Sequence, residues 1–387
     1  AQKTLDAAVY SFSLPALAEA LERACRREVR VRLVMERETA GSFYRDRLAS
    51  RDCPEAKLDE NKGLMHEKFL VVDGSAVWVG SHNWTCLDIY TDANNALLIQ
   101  DTSIAEAFAA EFEELYNGRF GEHKRDANEE FFRLDDRSIE LYFGPVDAPR
   151  EAIIKKIQSA RASIHIAMYA FTDNELKRAL LEAQARGPLV QAVWDYQGVS
   201  LTGSDVPAML NRGIGVLDAN PGLVHHKFAI IDERLVLTGS ANWSRAGLEK
   251  NDEYVLIVED AELARAYLAH WQRLYGDALR YDREPRQAPR LHIRVFWRSE
   301  RANKFGVRVE WRPHLVKPVD EYALCRARTL RGPCEQTFPG IAPGLDYFVD
   351  PAAVAGQDYY YRLRGRVGYQ WSDYSNIYAT QRTGHCS

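Results

Sequence analysis

The sequence predicts an α/β protein: two duplicated α/β units with mixed β-sheets flanked by helices, followed by a C-terminal all-β sandwich. Three observations lead there. The chain matches itself at an offset of 159 residues with no gap. Within each copy the apolar pattern alternates between strand and helix periodicity. Beyond residue 290 only short alternating segments separated by turns remain.

The 387 residues allow two or three compact units, and 46% hydrophobic with 27% charged residues excludes a disordered or fibrous chain. No run approaches the ~18 consecutive apolar residues of a membrane-spanning helix. AQKTLDAAVYSF at Ala1 lies over ARASIHIAMYAF at Ala160, and VRLVME (31–36) over VQAVWD (190–195). His66–Trp84 lies over His225–Trp243 with nine of 19 positions identical, where unrelated segments share about one.

LDAAVYSF reads as a strand, LPALAEALERACRR as an amphipathic helix and VRVRLVM as a strand. KFLVVD, AVWVGS and NALLIQ follow as short strands, and TSIAEAFAAEFEELYN as a helix opening at a Thr cap. Before Ala160, SIELYFGPVDAPREAIIKKIQS reads as strand, turn and helix. The equivalent piece would precede Ala1, so the sequence is expected to start inside its first copy, short of roughly twenty residues. The expected boundaries are 1–133 and 134–281 for the two copies, 282–290 for a Pro-containing linker, and 291–387 for the β-sandwich.

Residues 281–387 hold 17 Lys+Arg against 11 Asp+Glu, while the rest holds 33 against 44. This asymmetry points the tail toward something anionic. None of the six cysteines forms a C-x-x-C pair, which argues against a zinc site, and Cys325 and Cys334 are spaced to close a hairpin. Cysteine usage favours an oxidising compartment, hence a secreted or periplasmic location. AQKTLDAAVY is not a signal peptide, because it lacks a continuous apolar region.

Each copy carries His-x-Lys-x-x-x-x-Asp and then Gly-Ser-x-Asn: His66, Lys68, Asp73, Ser81 and Asn83 in the first, His225, Lys227, Asp232, Ser240 and Asn242 in the second. His-x-Lys on a strand points both side chains to one face. Imidazole and ammonium, with Ser and Asn groups from the next strand, form a positive pocket suited to phosphate. His82 and His226 are not repeated and are expected at the surface or rim. Trp84 and Trp243 are expected in the core.

These paired motifs resemble those of the phospholipase D superfamily over about residues 1–280. The resemblance implies a pseudo-twofold pair of α/β units meeting at their motifs, with metal-independent phosphodiester chemistry through a phosphohistidine. No metal or cofactor is expected. Both motifs lie in one chain, so the site is expected to be complete in a monomer. Lys68, Lys227, Asn83 and Asn242 are expected on the phosphate oxygens, with Ser81 and Ser240 beside them. At the offset of 159, Glu253 falls over Asn94. Tyrosyl-DNA phosphodiesterases show a similar split of amide and Glu, each supporting the opposite half's His. By that resemblance Glu253 supports His66 as nucleophile and Asn94 orients His225 as acid. Asp73 and Asp232 count among the catalytic-motif residues with a structural role favoured, and their presence departs from tyrosyl-DNA phosphodiesterases.

The C-terminal segment resembles a fibronectin type III domain through WRP, Tyr359-x-Tyr361-x-Leu363 and WSDYSN, with a tyrosine corner available in YYYRLRG. Nucleic acid is the preferred substrate, given the compact copies and the Arg-rich tail. Phospholipid hydrolysis or headgroup transfer is the alternative, favoured by the acidic catalytic half. A binding protein with a degenerate catalytic half is a third reading, opposed by two intact motifs.

Overall fold

A computed structural model describes residues 1–41, 48, 52–125, 130–134, 136–218 and 222–283, and further on 291–296, 306–311, 319–328, 333–343, 345, 347–350, 352–353, 359–367, 370–371 and 378–379. The first sheet contains β1 (Thr4–Val9), β2 (Arg30–Met35), β3 (Glu55–Leu58), β4 (Lys68–Val72), β5 (Ala76–Gly80) and β6 (Ala96–Ile99), in the order β3-β2-β1-β4-β5-β6. The second contains β7 (Glu130–Leu134), β8 (Arg137–Gly144), β9 (Ser163–Met168), β10 (Leu189–Trp194), β11 (Val216–Leu217), β12 (Lys227–Ile231), β13 (Leu235–Gly239) and β14 (Glu253–Glu259). Its order, β11-β10-β9-β12-β13-β14-β8-β7, repeats the first and adds β8 and β7 beyond β14. In both sheets the first three strands are parallel and the next runs antiparallel, the mixed pattern the duplication predicts.

The helix Pro15–Arg26 opens on Pro at its first position and buries Ala18, Leu21 and Ala24 on one sheet face with Val9 and Leu33. The helix Thr102–Tyr116 is capped by the Asp101 carboxylate on the Ile104 amide, so the cap is Asp101 and not the expected Thr. Its Phe108 and Phe112 share a core with Phe69 and Val77 of the first sheet and Leu141, Phe143 and Tyr254 of the second. Each such side chain contributes about 1.5–3 kcal/mol on burial. The helices Pro149–Ser159 and Asn174–Arg186 pack Ile153, Ile157 and Leu180 on Ile164, Leu237 and Ile257. Ala261–Arg283 places Leu268 and Trp271 against Phe228 and Ile230. This last helix enters the segment read as a linker at 282–283, and 284–290 lie outside the described residues.

Among the described residues, the C-terminal part is all-β and antiparallel. Strands β15 (Leu291–Phe296), β16 (Gly306–Trp311), β17 (Glu321–Ala327), β18 (Gln336–Ile341), β19 (Tyr347–Asp350), β20 (Tyr360–Val367), β21 (Gln370–Trp371) and β22 (Tyr378–Ala379) form two sheets. One is β15-β16-β19, the other β18-β17-β20-β21 with β22 also on β20. Val309, Trp311, Tyr322, Leu324, Tyr361 and Leu363 make a shared core. Cys325 and Cys334 are bonded, closing β17 to β18. The Tyr361 hydroxyl donates to the Asp350 carboxylate at 2.7 Å, which also takes Arg326, rather than to a backbone carbonyl. The remainder of the WSDYSN motif, 372–376, lies outside the described residues.

Candidate active site

Register places the two motifs. Lys68 pairs with Val9 and Lys227 with Met168, so the next residues along β1 and β9, Tyr10 and Tyr169, bond back to Glu67 and His226. Each tyrosine thus stands edge-on to a histidine, Tyr10 on His66 at 4.6 Å and Tyr169 on His225 at 5.1 Å between centroids. The same rings lie under the lysines, with Lys68 Nζ 4.9 Å from Tyr10 and Lys227 Nζ 5.2 Å from Tyr169.

The copies interlock at their motifs. The His66 amide donates to the Asp252 carbonyl at 2.9 Å and the Ala93 amide to the Leu223 carbonyl at 2.7 Å. Glu36 and Asp195, at the ends of β2 and β10, hold the entering loops by accepting from the Met65 and Val224 amides. As a result each imidazole meets the other copy. His66 Nδ1 lies 2.7 Å from Glu253 Oε1, and His225 Nδ1 lies 3.0 Å from Asn94 Oδ1. Glu253 and Asn94, which share one position of the repeat, thus each face the histidine of the opposite copy, the arrangement expected from the resemblance to tyrosyl-DNA phosphodiesterases.

Both lysines are buried, and each ammonium donates to the carbonyl of its own histidine, Lys68 to His66 and Lys227 to His225 at 2.7 Å. Burial lowers Lys68 to about 8 and, with the Lys68 ammonium close by, holds Lys227 well below its ordinary value. Burial and then the Lys227 charge bring His225 down to about 3, and burial and both ammoniums depress His66. Burial pushes the Glu253 carboxyl up to about 8. Gathered out of water, the two lysines and two imidazoles disfavour one another's charged forms. An anion placed there relieves the repulsion between the ammoniums and favours protonation of the imidazoles.

Several expected site residues are elsewhere. Asp73 and Asp232 follow the far ends of β4 and β12, roughly 16 Å along a five-residue strand from the His-Lys end. Their carboxylates are spent on the backbone amides of Gln2, Lys3 and Thr4 and of Arg161, Ala162 and Ser163, so they brace the strand start and do not join the site. Ser81 and Ser240 are fully buried and do not line the pocket. Ser81 Oγ donates to Asn94 Oδ1 at 2.7 Å, and Ser240 Oγ accepts from the Tyr254 amide beside Glu253. Asn94 in turn orients His225. Asn83 donates to Asp88 at 3.1 Å, while the Oδ1 atoms of Asn83 and Asn242 are buried without a partner.

His82 and His226 are buried rather than at a rim. His82 accepts from Trp78 Nε1 at 3.1 Å, and His226 bonds Asn95 Oδ1 at 3.0 Å and His270 at 2.9 Å. Trp84 and Trp243 are core residues on Phe12 and Phe171. Sequence reasoning missed Asp88, whose Oδ1 is 3.3 Å from His225 Nδ1. It also missed the buried Lys124, which binds Glu111 at 2.6 Å and Asp252 at 3.2 Å behind the strand that carries Glu253. No helix among the described residues is long and apolar enough to cross a membrane.

The model of the family described as "Cardiolipin synthase, PLD-like domain" matches residues 1–116 and 153–275, more than half of the chain and both copies. The chain belongs to the phospholipase D superfamily. Mitochondrial cardiolipin hydrolase of Homo sapiens is 38% identical over 124 residues, 32% of this chain and 49% of that protein. A phospholipase D of Rickettsia bellii is 35% identical over 140 residues, 36% of this chain and 70% of that one. The chain spans about half the length of the mitochondrial relatives it matches. Among solved structures, the phosphatidylserine synthase of Haemophilus influenzae shares the fold at 13% identity and TM-score 0.55, covering 72% of this chain and 82% of that one. The phospholipase D family member Nuc of Salmonella typhimurium is 31% identical with TM-score 0.35 over 37% of this chain and 96% of its own.

Proposed function

We propose that this superfamily member is a metal-independent phosphodiesterase that works through a phosphohistidine and hydrolyses nucleic-acid phosphodiester bonds. The observation that carries this reading is the cross-copy pairing: each Nδ1 is engaged by the opposite copy, which leaves each Nε2 for the substrate. His66 Nε2 attacks phosphorus as the P–O ester bond breaks, and His225, protonated once the anion is bound, gives its proton to the leaving oxygen. Water then attacks the phosphohistidine and yields a proton to His225 as the P–N bond breaks. Lys68 and Lys227 neutralise the equatorial oxygens as charge builds and the Asn242 amide donates to them, while the Asn83 amide nitrogen is held by Asp88.

The Arg-rich tail, 17 Lys+Arg against 11 Asp+Glu, supports nucleic acid as substrate, with the fibronectin-like sandwich as a positioning module. The disulfides Cys25–Cys53 and Cys325–Cys334 support a secreted or periplasmic location. One observation favours a phospholipase instead. Ile89 and Tyr90 are 40% and 55% exposed on the short helix that also carries Asp88, an apolar surface suited to lipid beside the site. The relatives named cardiolipin hydrolase and phospholipase D point the same way. Purified protein in chelator, offered plasmid DNA, single-stranded DNA and phosphatidylcholine vesicles, is expected to cleave DNA. Choline release without nicking selects the phospholipase, and inactivity in chelator restored by metal overturns the mechanism.

A further inference from the structure

We propose that Asp88 is the positioning carboxylate of His225, supplying from the helix Cys86–Tyr90 the acid that the strand position Asn94 lacks. The inference rests on the phosphohistidine reading of the site. At the offset of 159, Asn94 corresponds to Glu253 and Asp88 to Gly247. The two copies have therefore exchanged places for one acid: strand in the second, helix in the first. The second copy has no room for a helix acid, since a Cβ at Gly247 would stand 2.6 Å from the Asn242 carbonyl oxygen.

In the first copy Asp88 is buried and held from several sides. Its Oδ1 accepts from the Asn83 amide at 3.0 Å and Asn83 Nδ2 at 3.1 Å, and its Oδ2 accepts from Thr85 Oγ1 at 2.7 Å. Asn94 is fixed beside it, donating to the Asp88 carbonyl and accepting from Ser81. His225 Nδ1 thus faces two oxygen acceptors, Asn94 Oδ1 at 3.0 Å and Asp88 Oδ1 at 3.3 Å. Only a protonated Nδ1 satisfies both, which leaves the lone pair on Nε2. The other charged, titratable and aromatic groups near this ring are Lys227 at the start of β12, the adjacent His226, Lys68 from the opposite copy and the Tyr169 ring. Asp88 is the anion set against those cations. The glutamate-against-amide contrast consequently does not leave His225 without a carboxylate: both rings have one.

The test compares the wild-type chain with Asp88→Asn, Asp88→Gly and the double variant Asp88→Gly/Asn94→Glu, which copies the second half's arrangement into the first. Histidine ring-nitrogen NMR at neutral pH reads the tautomer, and kcat against pH is measured on DNA or on phosphatidylcholine vesicles, whichever the wild type cleaves. Asp88→Asn is expected to loosen the Nδ1–H tautomer, leaving it to the Asn94 amide oxygen alone, and to lower kcat roughly ten- to a hundredfold. Its limb for the protonated acid moves to lower pH by about one unit, because removing an anion disfavours imidazolium. Asn94→Glu is expected to restore at least about tenfold of what Asp88→Gly loses, a rescue that a merely structural Asp88 would not show. An unchanged His225 tautomer with unchanged kcat in Asp88→Asn overturns the proposal, as does a folded double variant no better than Asp88→Gly. If the wild type cleaves neither substrate while Asp88→Asn still alters the tautomer, the phosphodiesterase reading fails and the positioning role stands.

Discussion

At Glu253 a wholly buried carboxyl has one oxygen 2.7 Å from the His66 ring, and burial pushes its pKa up to about 8. The sign of the resulting pH dependence follows from the tautomer. An ionised Glu253 accepts from Nδ1–H and leaves the Nε2 lone pair for phosphorus, whereas a protonated Glu253 favours the opposite tautomer. Activity is therefore expected to rise as pH passes through about 8 and to fall again as Lys68, also near 8, loses its charge and the substrate-bound His225 its proton. Glu253→Gln is expected to remove the rising limb and to lower kcat roughly ten- to a hundredfold. A full pH–rate profile checks this, and an identical rising limb in the glutamine variant would refute it. Much of this residue-level chemistry is legible in the sequence, because duplication aligns His66 with His225 and Asn94 with Glu253. Asp88 is not legible, because the residue aligned with it is Gly247, and a comparison of copies reveals only what both retain. The inward turn of Ser81 and Ser240 is equally hidden, since strand alternation says which face a hydroxyl takes but not what lies against that face.

Among the elements, the Gly-Ser corner that ends β5 and β13 shows why the motif needs glycine. A Cβ at Gly80 would lie 2.4 Å from the Asn95 carbonyl oxygen, and one at Gly239 would lie 2.2 Å from that of Tyr254. Gly239 also has φ +150°, a conformation that side chains resist. The close approach is what brings Ser240 to the Tyr254 amide, one residue from Glu253. Gly239→Ala is expected to cost about 1–3 kcal/mol through backbone strain alone. It should also displace Glu253 and reduce kcat. An unchanged denaturation midpoint would show that β13 and β14 separate freely. Most strands are readable from alternating apolar residues, but β3 (EAKL) and β18 (QTFPGI) are not. The first is a short edge strand with exposed charge, and the second contains Pro339, which argues locally against a strand until β17 pairs with it.

For the whole molecule, the duplication determines where the parts of the site come from. His66 depends on Glu253 and His225 on Asn94 and Asp88, so neither half holds a complete ring environment by itself. The halves are also joined through a core in which Phe69 and Phe108 touch Tyr254, while the Tyr254 hydroxyl accepts from the Gly80 amide at 2.6 Å. Halves can be exchanged between two chains only by first separating them, which exposes that core at about 1.5–3 kcal/mol for each large side chain and makes exchange slow. Chains with one damaged motif should therefore not repair each other. An equimolar mixture of His66→Ala and His225→Ala is expected to remain as inactive as either alone. Wild-type specific activity should stay constant on dilution, with a monomer in sedimentation. Restored activity in the mixture, or activity that falls as the protein is diluted, would mean that the two histidines meet across chains. The cross-copy bonds would then have to form between molecules instead of within one.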